Sequence, residues 1–181
     1  MFQEQKISLR IGIIWSACFV VLFILFYLVD VNLVHNYWVN TALFVLGLIP
    51  MYLVGSLRRR ELGGFITWKQ ALSSIWSCSV VYSFVSVVHS YIFYNFIDPS
   101  MKDEQKKMAV KAIEKWRSTM GDQEADKQID QIMNTNSMSL QNMIFSFCIL
   151  LLFYFIISAI MAYFIRKNDP QIIERKFTDQ L

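Results

Sequence analysis

Four long apolar runs without a single Lys, Arg, Asp or Glu constrain this chain more than any other feature. They are Ile11–Val29, Trp38–Leu57, Ala71–Ile97 and Met143–Ile165, with 19, 20, 27 and 23 residues. At about 1.5 Å of rise per residue, each crosses a hydrocarbon layer of ~30 Å as an α-helix, the third with length to spare. A soluble bundle of buried helices would need charges on an outward face at helical spacing. None of the four runs has such a face. Composition agrees: 55% hydrophobic against 17% charged residues exceeds what one small soluble core requires. The expected fold is all-α, a four-helix transmembrane bundle, and the lipid bilayer is its first partner. The chain reads as one integral membrane domain, residues 1–181, with spans at approximately 11–29, 38–57, 71–97 and 143–165.

Basic residues orient the spans. Lys6 and Arg10 precede the first, Arg58, Arg59, Arg60 and Lys69 join the second to the third, and Arg166, Lys167, Arg175 and Lys176 follow the fourth. The other short connection, Asp30–Tyr37, has no Lys or Arg. The positive-inside bias therefore predicts cytoplasmic termini and a cytoplasmic Arg58–Gln70 loop. It leaves Asp98–Asn142 outside, a near-neutral segment with seven Lys/Arg against eight Asp/Glu. That balance excludes a basic patch for nucleic acid. The first run ends at Asp30 without a small-residue cleavage site, so it reads as an uncleaved signal anchor.

The insert 98–142 carries a helical pattern of its own. Asp98-Pro99 stops the third span and can start a new helix, with Met101, Met108, Ala109, Ala112, Ile113 and Trp116 near helical spacing. Gly121 ends that helix and Asp122 can cap a second, whose apolar face is Ala125, Ile129, Ile132 and Met133. Asn134-Thr135-Asn136-Ser137 turns the chain back to the membrane. The expectation is a short amphipathic helical insert. Its candidate face toward a partner or the membrane surface is Met108, Ile113, Trp116, Ile129 and Met133. Packing on the chain's own bundle is the plainer outcome of the same pattern.

Polar groups inside the spans are few. Ser79, Ser83, Ser86 and Ser90 recur at i, i+4, i+7 and i+11 on one stripe of the third span. Small hydroxylated residues let helices approach closely in lipid, and a stripe of them can also line a polar path. An ion or proton path needs ionisable groups at membrane depth, and His89 is the one the spans hold. Packing is thus the favoured reading of the serines. His89 lies near the outer interface, where an imidazole can reach the headgroups or bond a serine. Cys18, Cys78 and Cys148 occupy three different spans at no metal-binding spacing, and they read as small buried hydrophobes. Gly12/Ser16 and Ser158/Ala162 are small-xxx-small pairs, and Pro50 is expected to kink the second span.

The stretch Gly63-Gly64-Phe65-Ile66-Thr67-Trp68-Lys69-Gln70-Ala71 leads into the serine-bearing span, which leaves through Tyr94-Asn95-Phe96-Ile97-Asp98-Pro99. A charged helical insert and a last span ending in Arg166-Lys167-Asn168-Asp169-Pro170 follow. This order of elements resembles the bacterial family catalogued as "protein of unknown function 4199". The resemblance covers nearly the whole chain and implies a four-span fold in the bacterial inner membrane. It brings no activity and no site residues.

No paired carboxylates, His-rich metal set or Ser/His/Asp arrangement stands in the spans, so no enzyme, cofactor or metal is expected. The leading expectation is a non-enzymatic partner or scaffold subunit of the cell envelope, with an envelope protein as partner. A small oligomeric transporter or channel component is the alternative, and a lipid-acting enzyme the third. Carbonate washing of membranes is expected to leave the protein in the pellet; release into the supernatant would refute the lipid-embedded reading.

Overall fold

The structure is a computed structural model that describes residues 6–135 and 139–167. Among these, seven α-helices follow in order: α1 (Lys6–Val29), α2 (Val31–His35), α3 (Tyr37–Glu61), α4 (Trp68–Ile92), α5 (Met101–Met120), α6 (Asp122–Asn134) and α7 (Leu140–Ile165). A π-helical turn, Phe93–Ile97, prolongs α4. Helices α1, α3, α7 and α4 with its π turn are long and apolar enough to cross a membrane, at 24, 25, 26 and 30 residues. These four fit a multi-pass membrane protein. The expected spans are all present as helices.

Helix α4 is the hub. It packs on α7, α1 and α3, most extensively on the first two. A third of its most apolar stretch is buried, against 11% for α1 and 17% for α7. What is buried is unusual for a water-soluble fold. The interior holds Ser8, Ser16, Ser74, Ser79, Ser83 and Ser158, while Phe164 is 79% exposed and Leu28 72%. Small residues at the seams and large apolar ones outside are the pattern of helices packed in oil.

The seams show why the small residues matter. A Cβ on Gly12 of α1 would stand 3.1 Å from the Cys78 carbonyl oxygen and 3.1 Å from Val81 Cβ, both on α4. On α3, a Cβ on Gly55 would stand 2.7 Å from Ile165 Cδ1 and 3.1 Å from Ile75 Cδ1. Both small-xxx-small pairs, Gly12/Ser16 and Ser158/Ala162, are buried. The serine hydroxyls donate within their own helices: Ser16 to Gly12 O at 2.6 Å, Ser79 to Ile75 O at 3.1 Å and Ser158 to Tyr154 O at 2.7 Å. Satisfied in this way, a serine acts at the interface mainly as a small residue.

Two clusters anchor opposite ends of the bundle. At one end Met51, Ile66, Ala71, Ile75, Ala162 and Ile165 pack together; at the other, Val34, Phe93, Tyr94, Met101 and Met143 do. The first is the basic end. There Gly63 and Gly64 adopt φ of +77° and +96°, which only glycine takes without strain, and turn the chain out of α3. Ile66 then exchanges backbone hydrogen bonds with Lys167 at 2.9 and 3.0 Å, an isolated antiparallel bridge. Thr67 and Gln70 form a reciprocal capping box that starts α4. Trp68 Nε1 donates to Ala159 O at 3.2 Å, and Arg59 Nη1 to Ile165 O at 3.4 Å. The chain is stitched together here by main-chain contacts.

Some details differ from the sequence reading. Helix α1 already includes Lys6 and Arg10, which the sequence places ahead of the span. The connection Asp30–Tyr37 contains a further short helix, α2, started by Asp30, which accepts from Asn32 N at 2.9 Å, and ended at Asn36, whose side chain accepts from Trp38 N at 2.9 Å and so caps α3. Helix α3 runs unbroken across Pro50. Asn136, Ser137, the Asn168-Asp169-Pro170 ending, Arg175 and Lys176 lie outside the described residues.

Replacing Gly12 by Leu is expected to force α1 off the Cys78 carbonyl and to destabilise the protein by about 1–3 kcal/mol. Gly55→Ala should cost less, because the tip of Ile165 can rotate away. Gly47→Leu, with nothing within 4 Å of its Cβ, should be neutral. Melting temperatures in mild detergent check this order.

Candidate functional site

Every polar group weighed in the sequence has a place in this frame. Ser79 and Ser83 are fully buried in the bundle, while Ser86 and Ser90 are half-buried. Ser83 Oγ has no hydrogen-bond partner, and neither does His89 Nε2. His89 meets Phe23 of α1 edge-on at 4.7 Å and stacks on Phe93 at 6.0 Å. It is therefore part of an aromatic cluster between α1 and α4, continued by the Tyr27–Phe93 contact at 5.0 Å. The imidazole packs among rings instead of bonding a serine. The stripe stays together on α4, but its four members do not share one environment.

The insert forms a hairpin of α5 and α6 packed on each other. Gly121, at φ +87°, makes the turn between them. Arg117 locks the tip, with Nε and Nη2 on Glu114 at 2.7 and 2.8 Å and Nη1 on Asp126 at 2.8 Å. The guanidinium beside Glu114 holds that carboxyl below the usual range, and Glu114 with Asp126 pushes Arg117 up. Lys106 Nζ donates to Met133 O at 2.8 Å and so closes the last turn of α6.

This packing divides the expected partner face. Ile113 and Ile129 are half-buried, with Ile113 lining a groove of about 570 Å³ between α5 and α6 together with Ala109 and Ile132. Met108, Trp116 and Met133 point away from the seam, 41%, 58% and 56% exposed. The five residues therefore do not form one face. The reason is geometric: α6 packs along only part of the apolar stripe of α5, so Met108 and Trp116 are left outside the contact. Beside Met108, at i, i+4 and i+8 on α5, run Lys107, Lys111 and Lys115, all exposed. Lys107 pairs with Glu104 at 2.8 Å, whereas Lys111 and Lys115 have no partner among the described residues.

The hairpin joins the bundle at its base. Met101 is buried in the aromatic cluster, and Lys102 Nζ donates to Asn95 Oδ1 at 2.8 Å. Regular α5 begins at Met101, after Ser100, which makes no side-chain cap bond. Asp98 makes the capping contact, accepting from Ser100 N at 3.1 Å, with Ser100 Oγ also donating to it, and it accepts in addition from Tyr27 Oη of α1 at 2.8 Å. These bonds, first that of Ser100 and then that of Tyr27, hold the carboxyl below its usual value.

The family described as "Protein of unknown function (DUF4199)" matches residues 10–167. The chain belongs to that family. No curated protein and no solved structure matches it. In this DUF4199 protein the two segments that carry the resemblance at the basic end, Gly63–Gln70 and Arg166-Lys167, are neighbours in space through the Ile66–Lys167 bridge. The Tyr94–Pro99 segment lies at the other end, at the root of the hairpin. Of the cysteines, Cys78 is buried as expected, but Cys18 and Cys148 face outward from the bundle. Among the described residues no group of three or more His, Cys, Asp or Glu could hold a metal ion.

The Asp98 link sets a pH dependence. A carboxyl whose folded pKa is lowered stabilises the fold above its unfolded value, here 3.8, and that contribution is lost as pH falls through the folded value. Amide protection around Tyr27 and Met101, relative to the intrinsic exchange rate at each pH, is expected to fall below about pH 4. Asp98→Asn should show the lower protection already at neutral pH and no further step in that window.

Proposed function

We propose that this DUF4199 protein is a non-enzymatic subunit of the bacterial cell envelope that holds a protein partner on the outward side of its α5–α6 hairpin. The observation that supports this is the division of the hairpin. Ile113 lines its own groove and Ile129 is half-buried, yet Met108 and Trp116 remain exposed, and beside Met108 on the helix stand Lys111 and Lys115, which nothing in the described chain pairs. Aromatic and methionine side chains are enriched in the buried centres of protein interfaces, and a lysine row favours a partner with an acidic face.

The location that goes with this reading is the inner membrane, with both termini and the Arg58–Gln70 loop in the cytoplasm. It is supported by the gathering of Arg10, Arg58, Arg59, Arg60, Arg166 and Lys167 at the end of the bundle opposite the hairpin. A second reading, a subunit of an oligomeric transporter or channel, has one observation in its favour: Ser83 Oγ and His89 Nε2 are unpartnered within a spanning helix. That reading predicts solute or ion flux in proteoliposomes that changes with Ser83→Ala or His89→Ala.

A photo-crosslinking residue at Trp116 or Met108 in native membranes is expected to give one discrete adduct with an envelope protein. Lys111→Glu with Lys115→Glu should reduce that adduct at least several-fold without changing the melting temperature. A ladder of unspecific adducts, or one insensitive to the charge reversal, would refute the scaffold reading. For orientation, a fluorescent protein after Leu181 should fluoresce, and alkaline phosphatase inserted at Gly121 should be active.

A further inference from the structure

Beneath the first turn of α5 lies a partly enclosed cavity of about 240 Å³, at the hairpin end of the bundle. Phe19, Phe23 and Phe26 of α1 and Val39 and Leu43 of α3 supply its apolar wall. Its polar groups are Asn40, Tyr94 and Gln105. The origin of the space is visible in α1. Toward the basic end this helix meets its neighbours through Ser8, Gly12 and Ser16, all buried; toward the hairpin it presents three phenylalanines. Small residues draw the helices together at one end, and rings hold them apart at the other.

We infer that this cavity binds an aliphatic chain with a neutral hydroxyl head. The apolar wall takes the chain, and the polar groups take the head. Gln105 Oε1 is buried and has no hydrogen-bond partner. Asn40 commits its Nδ2 to Val34 O at 2.9 Å and Asn36 O at 3.0 Å, which leaves its carbonyl oxygen as a further acceptor. A hydroxyl both donates and accepts, so it satisfies the Gln105 carboxamide in either orientation of the amide. No Lys, Arg, Asp or Glu lines the cavity, so a carboxylate or phosphate head would be buried there without a counter-charge. A bare hydrocarbon would leave Gln105 unsatisfied. At ~30 Å³ per small group the volume holds the head and about seven further groups, and the rest of a longer chain leaves by the open side of this partly enclosed cavity. The head comes either from a free alcohol or from the glycerol of a bilayer lipid, which share this chemistry.

The test uses the full-length protein in phosphatidylcholine nanodiscs and three photoreactive diazirine probes: 1-decanol, decane and decanoic acid. Decanol is expected to label the cavity-lining segments of α1 and α3 roughly fivefold above decane or decanoic acid, the ~1 kcal/mol of one hydrogen bond. Gln105→Leu should lower decanol labelling to the decane level and leave decane labelling unchanged. That second readout also reports that the cavity has kept its shape. Val39→Phe, which fills the wall, should reduce labelling by both. Competition by unlabelled decanol or by monodecanoylglycerol supports the site, and the stronger competitor names the source. Equal labelling by decanol and decane, indifference to Gln105→Leu, or competition by neither compound would overturn the proposal.

Discussion

The approach of α1 to α4 at Gly12 depends on the absence of a side chain, since a Cβ there would already be 3.1 Å from a backbone carbonyl that cannot move aside. In lipid the hydrophobic effect offers no drive to bring two apolar helices together, because the surrounding chains are as apolar as leucine. Close backbone contact replaces it. The same logic places Gly55 against Ile75 and Ile165, and Ser158 with Ala162 on the buried side of α7. With three partners converging on α4 in this way, bulky residues have nowhere to go but outward, which is why Phe145, Leu152 and Phe164 are exposed. The inverted distribution of size and polarity is a consequence of the solvent.

Close contact at one end has a cost at the other. From Phe19 onward α1 carries rings where it earlier carried small residues, and the contacts become edge-to-face aromatic ones: Phe19 with Tyr82 at 5.4 Å, Phe23 with Phe93 at 4.8 Å, Tyr27 with Phe93 at 5.0 Å. Such pairs tolerate separation better than a glycine seam does. Of the three unpartnered buried polar atoms among the described residues, His89 Nε2 and Gln105 Oε1 lie in this half, while Ser83 Oγ sits in the tightly packed part of α4. The basic end, by contrast, is closed by backbone: the Ile66–Lys167 bridge and the Thr67–Gln70 cap leave little to rearrange.

Much of this was legible because the membrane makes strong demands on sequence. A span must be long and uncharged, so all four could be read directly, as could the small pairs at Gly12/Ser16 and Ser158/Ala162. The insert was legible as two amphipathic helices for the same reason of periodicity. Periodicity does not say what a stripe faces: Ile113 and Ile129 are half-buried, Ile113 in the groove between α5 and α6, while Met108, Trp116 and Met133 are exposed. The Asp-Pro pair has the form of a helix start, and Asp98 does accept from Ser100 N there; its second bond, to Tyr27 71 residues away, leaves no local mark in the sequence. Helix α2 was missed because Asp30 and Asn36 cap a helix too short to show a period. The cavity could not have been foreseen, since it arises from where rings on α1 fall relative to α3.

Gln105 ties the two ends of the functional argument together. It lies in the first turns of α5, four residues beyond Met101, which is buried in the bundle, and three before Met108, which is exposed on the hairpin. A helix transmits displacement along its axis as a rigid body, so a head group seated at Gln105 acts on the same element that presents Trp116. The hairpin's hold on the bundle is slight and local: Met101, the Lys102–Asn95 bond and the Asp98–Tyr27 link. Filling the cavity therefore adds a contact at the point where the hairpin is hinged, and it does so without touching the basic end. The proposed partner face and the proposed cavity ligand would both bear on this one helix, and any coupling between them would be reciprocal.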